Sequence, residues 1–319
     1  MRKILVTGAL GQIGSELVPA LRKKYGTETV VASSIRLKPD SAVIKEGPFE
    51  LLDCTEQDQI QDVMQRHDIG TIYHMASLLS AVAEEKPQLA WELNMGGLYG
   101  MLEAARQNRC ALFFPSSIGA FGPSTPPKNT PQVTIQRPTT IYGVTKVSGE
   151  LLCDYYVQRF DVGARGLRLP GLISYVAPPG GGTTDYAVDI FYHAIRHGRY
   201  SCFLKPNTRL DMMYMPDAVK GMITLMETDP ACLKHHNAFN VTAMNFTPEE
   251  LAREIQKHIP AFVIDYDVDP VRQAIADSWP RSLDDREARD QWGWSPDYDL
   301  ARMTADMLEQ LARRNDSVK

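Results

Sequence analysis

The segment "KILVTGALGQIG" (residues 3–14) constrains the fold more than any other stretch. "KILV" is a short apolar run, and the glycine-bearing turn that follows places Gly8, Gly11 and Gly14 in a GxxGxxG spacing. "SELVPALRKKYG" (15–26) then reads as a helix stopped by Gly26. A strand, a glycine turn and a helix make a phosphate site for a physical reason. Without Cβ atoms the backbone turns sharply and comes close to a pyrophosphate, and the helix N-terminus offers free N–H groups and the positive end of its dipole. In this context the spacing points to a dinucleotide site rather than a merely structural turn. Pro19 inside the helix predicts a local kink.

The alternation continues. "TVVAS" (29–33), "TIYHMAS" (71–77), "ALFFPSS" (111–117) and "ARGLRLPGLIS" (164–174) read as strands separated by polar, helix-favouring stretches. The fold class that follows is α/β: a Rossmann-type doubly wound parallel sheet, covered on both faces, with ligands at the carboxyl ends of its strands. A smaller, discontinuous α/β substrate domain is expected from about 175–210 plus 240–319. Residues 1–174 plus about 211–239 are expected to form the dinucleotide-binding domain, with "MMYMPDAVKGMITLM" returning to it. Thr247 followed by "PEE" is a capping box with Pro at the first helical position, so a helix begins there.

Composition excludes several function classes. With 319 residues, 44% hydrophobic and 23% charged, the chain is globular. Its net charge is -5 and no basic run exceeds "RKK" at 22–24, which argues against a nucleic-acid partner. The five cysteines are scattered, without CxxC or a Cys/His cluster, a pattern that suits reduced thiols rather than disulfides or a metal site. No apolar run has membrane-spanning length and no signal or transit peptide is evident, so a cytoplasmic protein without a membrane partner is expected.

Two local patterns carry chemistry. An acidic residue that hydrogen-bonds the ribose of NAD is expected roughly 20 residues beyond the glycines. Counting on from Gly14 reaches Ser34 in "VVASSIRLK", where neither Asp nor Glu stands. Either Ser34 holds the NAD ribose with less selectivity, or Arg36 meets the 2'-phosphate of NADP. The second pattern is "IYGVTKVSGELL" (141–152), in which Tyr142 and Lys146 share one helix face. An ammonium beside a phenol of ordinary pKa about 10 favours phenolate, a base able to take a proton from an alcohol. An ordinary amphipathic helix carries the same spacing, so the pair alone decides nothing.

Together, GxxGxxG, a strand-end serine (Ser117 in "FFPSSIGAFG") and YxxxK resemble the extended short-chain dehydrogenase/reductase superfamily. Asp53 in "LLDC", Asn94 in "WELNMGG" and "RLPG" (168–171) match it further. "PPGGGTTDYAVDIFYHA" (178–194), "MMYMPDAVKGM" (212–222) and "ADSWPRSLDDREARDQWGW" (276–294) resemble the short-chain type of L-threonine 3-dehydrogenase, a likeness that runs over nearly the whole chain. In that family the position of Ser34 usually carries Asp, a departure that bears on cofactor preference and not on fold.

The resemblance implies oxidation of L-threonine to 2-amino-3-oxobutanoate with hydride transfer to NAD, a step of threonine catabolism. In it Tyr142 takes the hydroxyl proton, Lys146 lowers the phenol pKa and binds the nicotinamide ribose, and Ser117, favoured over its neighbour Ser116, holds the reacting oxygen. The cofactor contacts it implies are Gly8, Gly11, Gln12, Ile13 and Gly14 at the phosphates, Ser34 and Arg36 at the ribose, and Asp53 and Cys54 at the adenine. Met75, Ala76, Asn94 and Leu169 join Tyr142 and Lys146 in that set. Substrate contacts are Ser117, Tyr142, Ser80, Gly182, Thr184 and Trp279. The helix N-terminus near Gly182 and Thr184 would seat the substrate carboxylate, although Thr183 or Thr184 could equally serve as a helix cap, and Trp279 could be plain core. A homodimer is expected through the YxxxK helix, where Val144, Leu151, Leu152 and Tyr155 fit an interface or, equally, a helix lying on its own sheet. The proline-rich "PSTPPKNTPQ" (123–132) is a candidate lid. The competing functions are a sugar-nucleotide epimerase or dehydratase of the same superfamily and a non-catalytic NAD(P) sensor. Intact Ser117, Tyr142 and Lys146 argue against the sensor.

Overall fold

The computed structural model describes residues 2–178 and 180–316. Pro179, inside the glycine-rich segment, and residues 317–319 of the expected substrate domain lie outside the described residues, as does Met1. Seven strands form the central sheet: β1 (Lys3–Thr7), β2 (Val30–Ser34), β3 (Phe49–Leu51), β4 (Ile69–His74), β5 (Ala111–Ser117), β6 (Ala164–Leu169) and, after three strands of the smaller sheets, β10 (Phe239–Asn240). Their order is β10-β6-β5-β4-β1-β2-β3, and every pairing is parallel. From β1 the chain winds outward to β2 and β3, then returns to the other side of β1 as β4. The topology therefore reverses between β1 and β4, and a crevice opens at their carboxyl ends.

Alternation of side chains along the strands feeds a core on each face. Ile4 and Val6 of β1 pack with Leu17, Val18 and Leu21 of the Gly14–Tyr25 helix and with Met222 of the Met215–Glu227 helix. Leu5, between them, packs on the opposite face with Ile60, Met101 and Cys153 from the Gln57–His67, Gly97–Asn108 and Ile141–Phe160 helices. A third core gathers Phe191, Leu251, Ile255, Met303 and Met307 around two small sheets. One is β11-β9-β7, formed by β7 (Gly171–Ile173), β9 (Leu210–Tyr214) and β11 (Met244–Phe246); the other pairs β8 (Arg199–Cys202) with β12 (Val263–Tyr266). Among the described residues no helix is long and apolar enough to cross a membrane.

Three local expectations change. "ARGLRLPGLIS" is two strands in two different sheets, β6 and β7, broken at Pro170, which has no N–H to continue a ladder. β4 ends at His74, so Met75 to Ser77 belong to the loop over the crevice. The first helix runs from Gly14 to Tyr25 with Pro19 inside it, on its exposed side. The 123–132 loop is pinned rather than free to act as a lid. Asn129 N–H donates to Ser282 Oγ at 2.8 Å and Arg281 N–H to the Pro127 carbonyl at 2.7 Å. Thr130 exchanges backbone bonds of 2.9 and 3.0 Å with Ser282 and Asp284.

The capping box forms as expected: Glu250 N–H donates to Thr247 Oγ1 at 3.2 Å, and Thr247 N–H to Glu250 Oε2 at 2.9 Å. Thr247→Ala removes one of these bonds at a helix end remote from the crevice. The expected cost is about 1 kcal/mol, read as a thermal midpoint lower by roughly 1 to 3 °C.

Candidate active site

Gly8 stands where the crevice opens. Its φ of +62° lies in the left-handed region, and a Cβ added there would meet the Ala76 backbone nitrogen at 2.7 Å. Gly14 is equally tight, since a Cβ there would fall 2.5 Å from the Gly8 carbonyl oxygen. The turn is therefore closed against both the β4 loop and its own helix. That helix has no side-chain cap at Ile13, and Gly11, Gln12, Ile13 and Gly14 line the cleft with Met75. Glycine-rich backbone at an uncapped helix N-terminus fits a dinucleotide pyrophosphate. Gln12 Nε2 is buried there without a hydrogen-bond partner. Below the turn, Thr7 Oγ1 and His74 Nδ1 lie 2.9 Å apart and join the two strands that diverge at the crevice. Burial, reinforced by the Lys146 charge, pushes this imidazole down to about 3, so it is neutral.

The opposite wall carries Ser117, at the end of β5, and Tyr142 and Lys146, in the first turns of the Ile141–Phe160 helix. Thr140 caps that helix by accepting the Gly143 N–H at 3.1 Å, which fixes where its first turn starts. Gly143 and Gly119 let helix and strand end meet: a Cβ on Gly143 would stand 2.3 Å from the Gly119 carbonyl, and one on Gly119 would stand 3.1 Å from the Tyr142 ring. Ser117 Oγ accepts the Gly119 N–H at 3.1 Å and lies beside the Tyr142 hydroxyl, where its dipole favours phenolate.

The electrostatics differ from the sequence expectation. Lys146 does not lower the phenol pKa here; burial pushes Tyr142 up to about 12. The reason is geometric. Lys146 Nζ donates to the Pro115 carbonyl at 2.8 Å and sits 5.2 Å from the centre of the Tyr142 ring, beneath the ring rather than at its oxygen. Burial pushes the lysine itself down to about 8, with the Glu150 charge one turn along the helix pulling it back up.

Glu150 belongs to a buried network that no sequence spacing indicated. Arg168 on β6 grips it with two bonds, Nε to Oε1 at 3.0 Å and Nη2 to Oε2 at 2.8 Å. Gln136 Nε2 adds a bond of 2.8 Å to Oε2. Ser116 Oγ also donates to Glu150 Oε1. The two neighbouring serines thus divide: Ser116 is committed to the network, and Ser117 presents its hydroxyl to Tyr142.

Across the cleft the structure brings Ser80, Gly182, Thr184 and Trp279 to its walls, together with Leu169. It adds Thr183, which sequence reasoning weighed only as a helix cap, and Asp185, which it left unassigned although it lies inside the quoted "GGGTTDY". Ser80 Oγ and Thr183 Oγ1 are 3.4 Å apart. Neither threonine caps the Tyr186–His197 helix by its side chain; Asp185 is the N-cap residue. Asp185 Oδ2 accepts the N–H groups of Gly181 and Gly182 at 2.8 and 2.7 Å, and burial raises its carboxyl above the usual range. The expected carboxylate seat therefore already holds a protein carboxylate.

The remaining candidates lie outside the cleft lining. Asn94 is buried on a wide turn, Glu92–Gly96; its Oδ1 accepts the Leu78 N–H at 2.7 Å and its Nδ2 donates to Thr145 Oγ1 at 3.2 Å. It ties the β4 loop to the Tyr142 helix. Cys54 is partly buried against the core on one face of the sheet, and burial pushes its thiol up to about 12. Asp53 Oδ1 caps Thr55, and Ser34 and Arg36 stand at the end of β2 and just beyond it. Among the described residues no cluster of His, Cys, Asp or Glu side chains is arranged to hold a metal.

Comparison with known proteins adds independent findings. The family model described as the NAD dependent epimerase/dehydratase family matches residues 4–242. An uncharacterized epimerase/dehydratase of Staphylococcus aureus (strain USA300) is 54% identical over 100% of this chain and 99% of its own. Among solved structures, an L-threonine dehydrogenase from Clostridium difficile is 57% identical, covers 98% of each chain and superimposes with a TM-score of 0.97. A monomeric L-threonine 3-dehydrogenase from a metagenome is 43% identical over 98% of this chain and 99% of its own, with a TM-score of 0.94.

Arg168→Met tests the network. It leaves Glu150 as a buried charge without its cation, for which a loss of about 3 to 5 kcal/mol is expected in denaturant unfolding. Ser116→Ala removes a single donor and is expected to cost about 1 kcal/mol.

Proposed function

The chain belongs to the NAD dependent epimerase/dehydratase family, and on that premise we propose that it is a dehydrogenase oxidising the secondary alcohol of L-threonine to 2-amino-3-oxobutanoate with NAD+. The observation that carries this is the convergence of Ser117, Tyr142 and Lys146 on one wall with Ser80, Thr183 and Asp185 on the other, beside Trp279. The likeness to the Clostridium difficile L-threonine dehydrogenase over 98% of the chain supports the same substrate. A zwitterion needs complements for both charges. The Asp185 carboxylate suits the ammonium, while the Ser80, Thr183 and Thr184 hydroxyls suit the carboxylate.

In this mechanism Ser117 donates to the substrate oxygen and holds it against Tyr142. Tyr142 as phenolate takes the hydroxyl proton. Lys146 stays charged beneath the ring and would hold the nicotinamide ribose. Gly8 to Gly14 would hold the pyrophosphate, with Met75 and Leu169 beside them in the cleft wall. The bound nicotinamide supplies the hydride acceptor. Trp279, 7% exposed, shields the far end of the pocket from water.

A homodimer through the outer face of the Gly97–Asn108 and Ile141–Phe160 helices belongs to the same proposal. Tyr99, Leu151 and Tyr155 are 54%, 65% and 53% exposed there, and Val144 joins them. Leu152 does not, because it packs into its own core. Leu151→Lys combined with Tyr155→Lys is expected to give a monomer in sedimentation velocity where the parent sediments as a dimer; a monomeric parent would end the dimer proposal. Five free thiols, three of them buried, suit the reducing cytoplasm proposed for it.

Tyr142→Phe should lower kcat with L-threonine by at least about 100-fold while dinucleotide binding survives. The pH profile follows from the two shifts. Below the Lys146 pKa of about 8 the phenolate fraction rises tenfold per pH unit, so kcat/KM rises with it. Above that value Lys146 loses the ammonium that would hold the nicotinamide ribose, dinucleotide binding weakens, and the rise flattens. Purified protein given L-threonine, L-serine, L-allo-threonine or UDP-galactose should reduce NAD+ with L-threonine by preference; conversion of the UDP-sugar alone would replace the proposal with epimerase chemistry.

A further inference from the structure

The end of β2 is built unlike an NAD-only ribose site. The Ser33 carbonyl accepts the Ala9 N–H at 2.9 Å, which sets the next residue, Ser34, directly beside the glycine turn. A site selective for NAD places a carboxylate here. It accepts hydrogen bonds from the ribose hydroxyls and repels a 2'-phosphate. This chain has a hydroxyl, and Ser34 Oγ accepts the Arg36 N–H at 3.3 Å. No neighbouring acid takes over the task. Glu50, which pairs in register with Ser33 on the adjacent strand, is held by Arg66 at 2.9 Å and His67 at 2.6 Å. Asp53 Oδ1 is turned onto the Thr55 N–H and hydroxyl at 2.9 and 2.7 Å. Asp40 faces Lys45 at 3.3 Å.

The cations beside Ser34 are not engaged in this way. Arg36 and Lys38 are exposed, and among the described residues neither side chain makes a hydrogen bond or ion pair. A guanidinium with its five donors unused, two residues beyond the ribose position, is matched to a phosphate dianion. We propose that the Ser34–Arg36 segment accepts the 2'-phosphate of NADP+ as well as the free 2'-hydroxyl of NAD+, so that the protein uses either dinucleotide. The hydroxyl of Ser34 serves the unphosphorylated ribose, and Arg36 and Lys38 serve the phosphorylated one. This rests on the nucleotide site of the proposed dehydrogenase and names its specificity.

The test is titration of the full chain with NAD+ and with NADP+ by calorimetry, with adenosine 2',5'-bisphosphate and ADP as competitors. Dissociation constants for the two dinucleotides within about tenfold of each other are expected. Arg36→Ala should weaken NADP+ about tenfold more than it weakens NAD+, and Ser34→Asp should move the preference toward NAD+ by about a hundredfold. Adenosine 2',5'-bisphosphate should compete better than ADP in the parent and lose that advantage in Arg36→Ala. A parent protein that binds NAD+ more than about a hundredfold tighter than NADP+, or an Arg36→Ala variant with an unchanged preference, overturns the proposal. The readout needs no threonine. A protein that binds both dinucleotides and leaves threonine untouched would sink the proposed reaction and leave this specificity standing.

Discussion

The buried ion pair between Arg168 and Glu150 is the contact on which the geometry of the site depends. Replacing a buried pair by apolar side chains is often neutral or stabilising, because desolvation of the two charges offsets their attraction. What such a pair confers is register. Here one carboxylate receives Arg168 from β6, Ser116 from β5 and Gln136 from the loop between β5 and the Tyr142 helix. Arg168 also donates to Asn240 Oδ1 of β10 at 3.1 Å. Sliding the helix by a residue would break all of the bonds to Glu150 together. Lys146 lies one turn before Glu150 and Ser117 one residue after Ser116, so the network holds both at fixed distances from Tyr142.

The second constraint is the reversal of strand order between β1 and β4. It opens a crevice only because Gly8 lets the β4 loop pass against the turn, and because Asn94 holds that loop down from behind with bonds to Leu78 and Thr145. Asn94 was expected among the cofactor contacts; in the fold its amide also positions this loop. The same economy places the cationic Lys146 under Tyr142 with the Pro115 carbonyl as its partner. A lysine ammonium kept out of water is costly, and the nearby Glu150 charge and the carbonyl bond offset part of that cost.

Much of this was legible in the chain because its signals are local. Gly8, Gly11 and Gly14 announce their turn by spacing, Tyr142 and Lys146 announce a shared helix face, and Thr247 with Glu250 announces a helix start. Ser34 could be located by counting from Gly14, and the structure puts it at the end of β2. What escaped was everything that depends on burial or on distant partners. The upward shift of Tyr142 was invisible because helical spacing says nothing about desolvation or about the carbonyl that claims Lys146. The Arg168 network joins residues from five separate segments, and no period in the sequence connects them. The split of "ARGLRLPGLIS" into β6 and β7 was signalled by Pro170, but its continuous apolar character masked the change of sheet. The 123–132 loop had the composition of a mobile segment, and only its backbone bonds to 281–284 show it pinned.

The most direct test of the central claim is transfer of label. L-threonine carrying deuterium on its hydroxyl-bearing carbon would be incubated with the protein and the oxidised dinucleotide, and the reduced dinucleotide examined by mass spectrometry and NMR. The account predicts one deuterium in the reduced nicotinamide ring, with Tyr142→Phe forming almost none of the product. A reduced dinucleotide that carries only solvent hydrogen, or none formed from threonine at all, would contradict it.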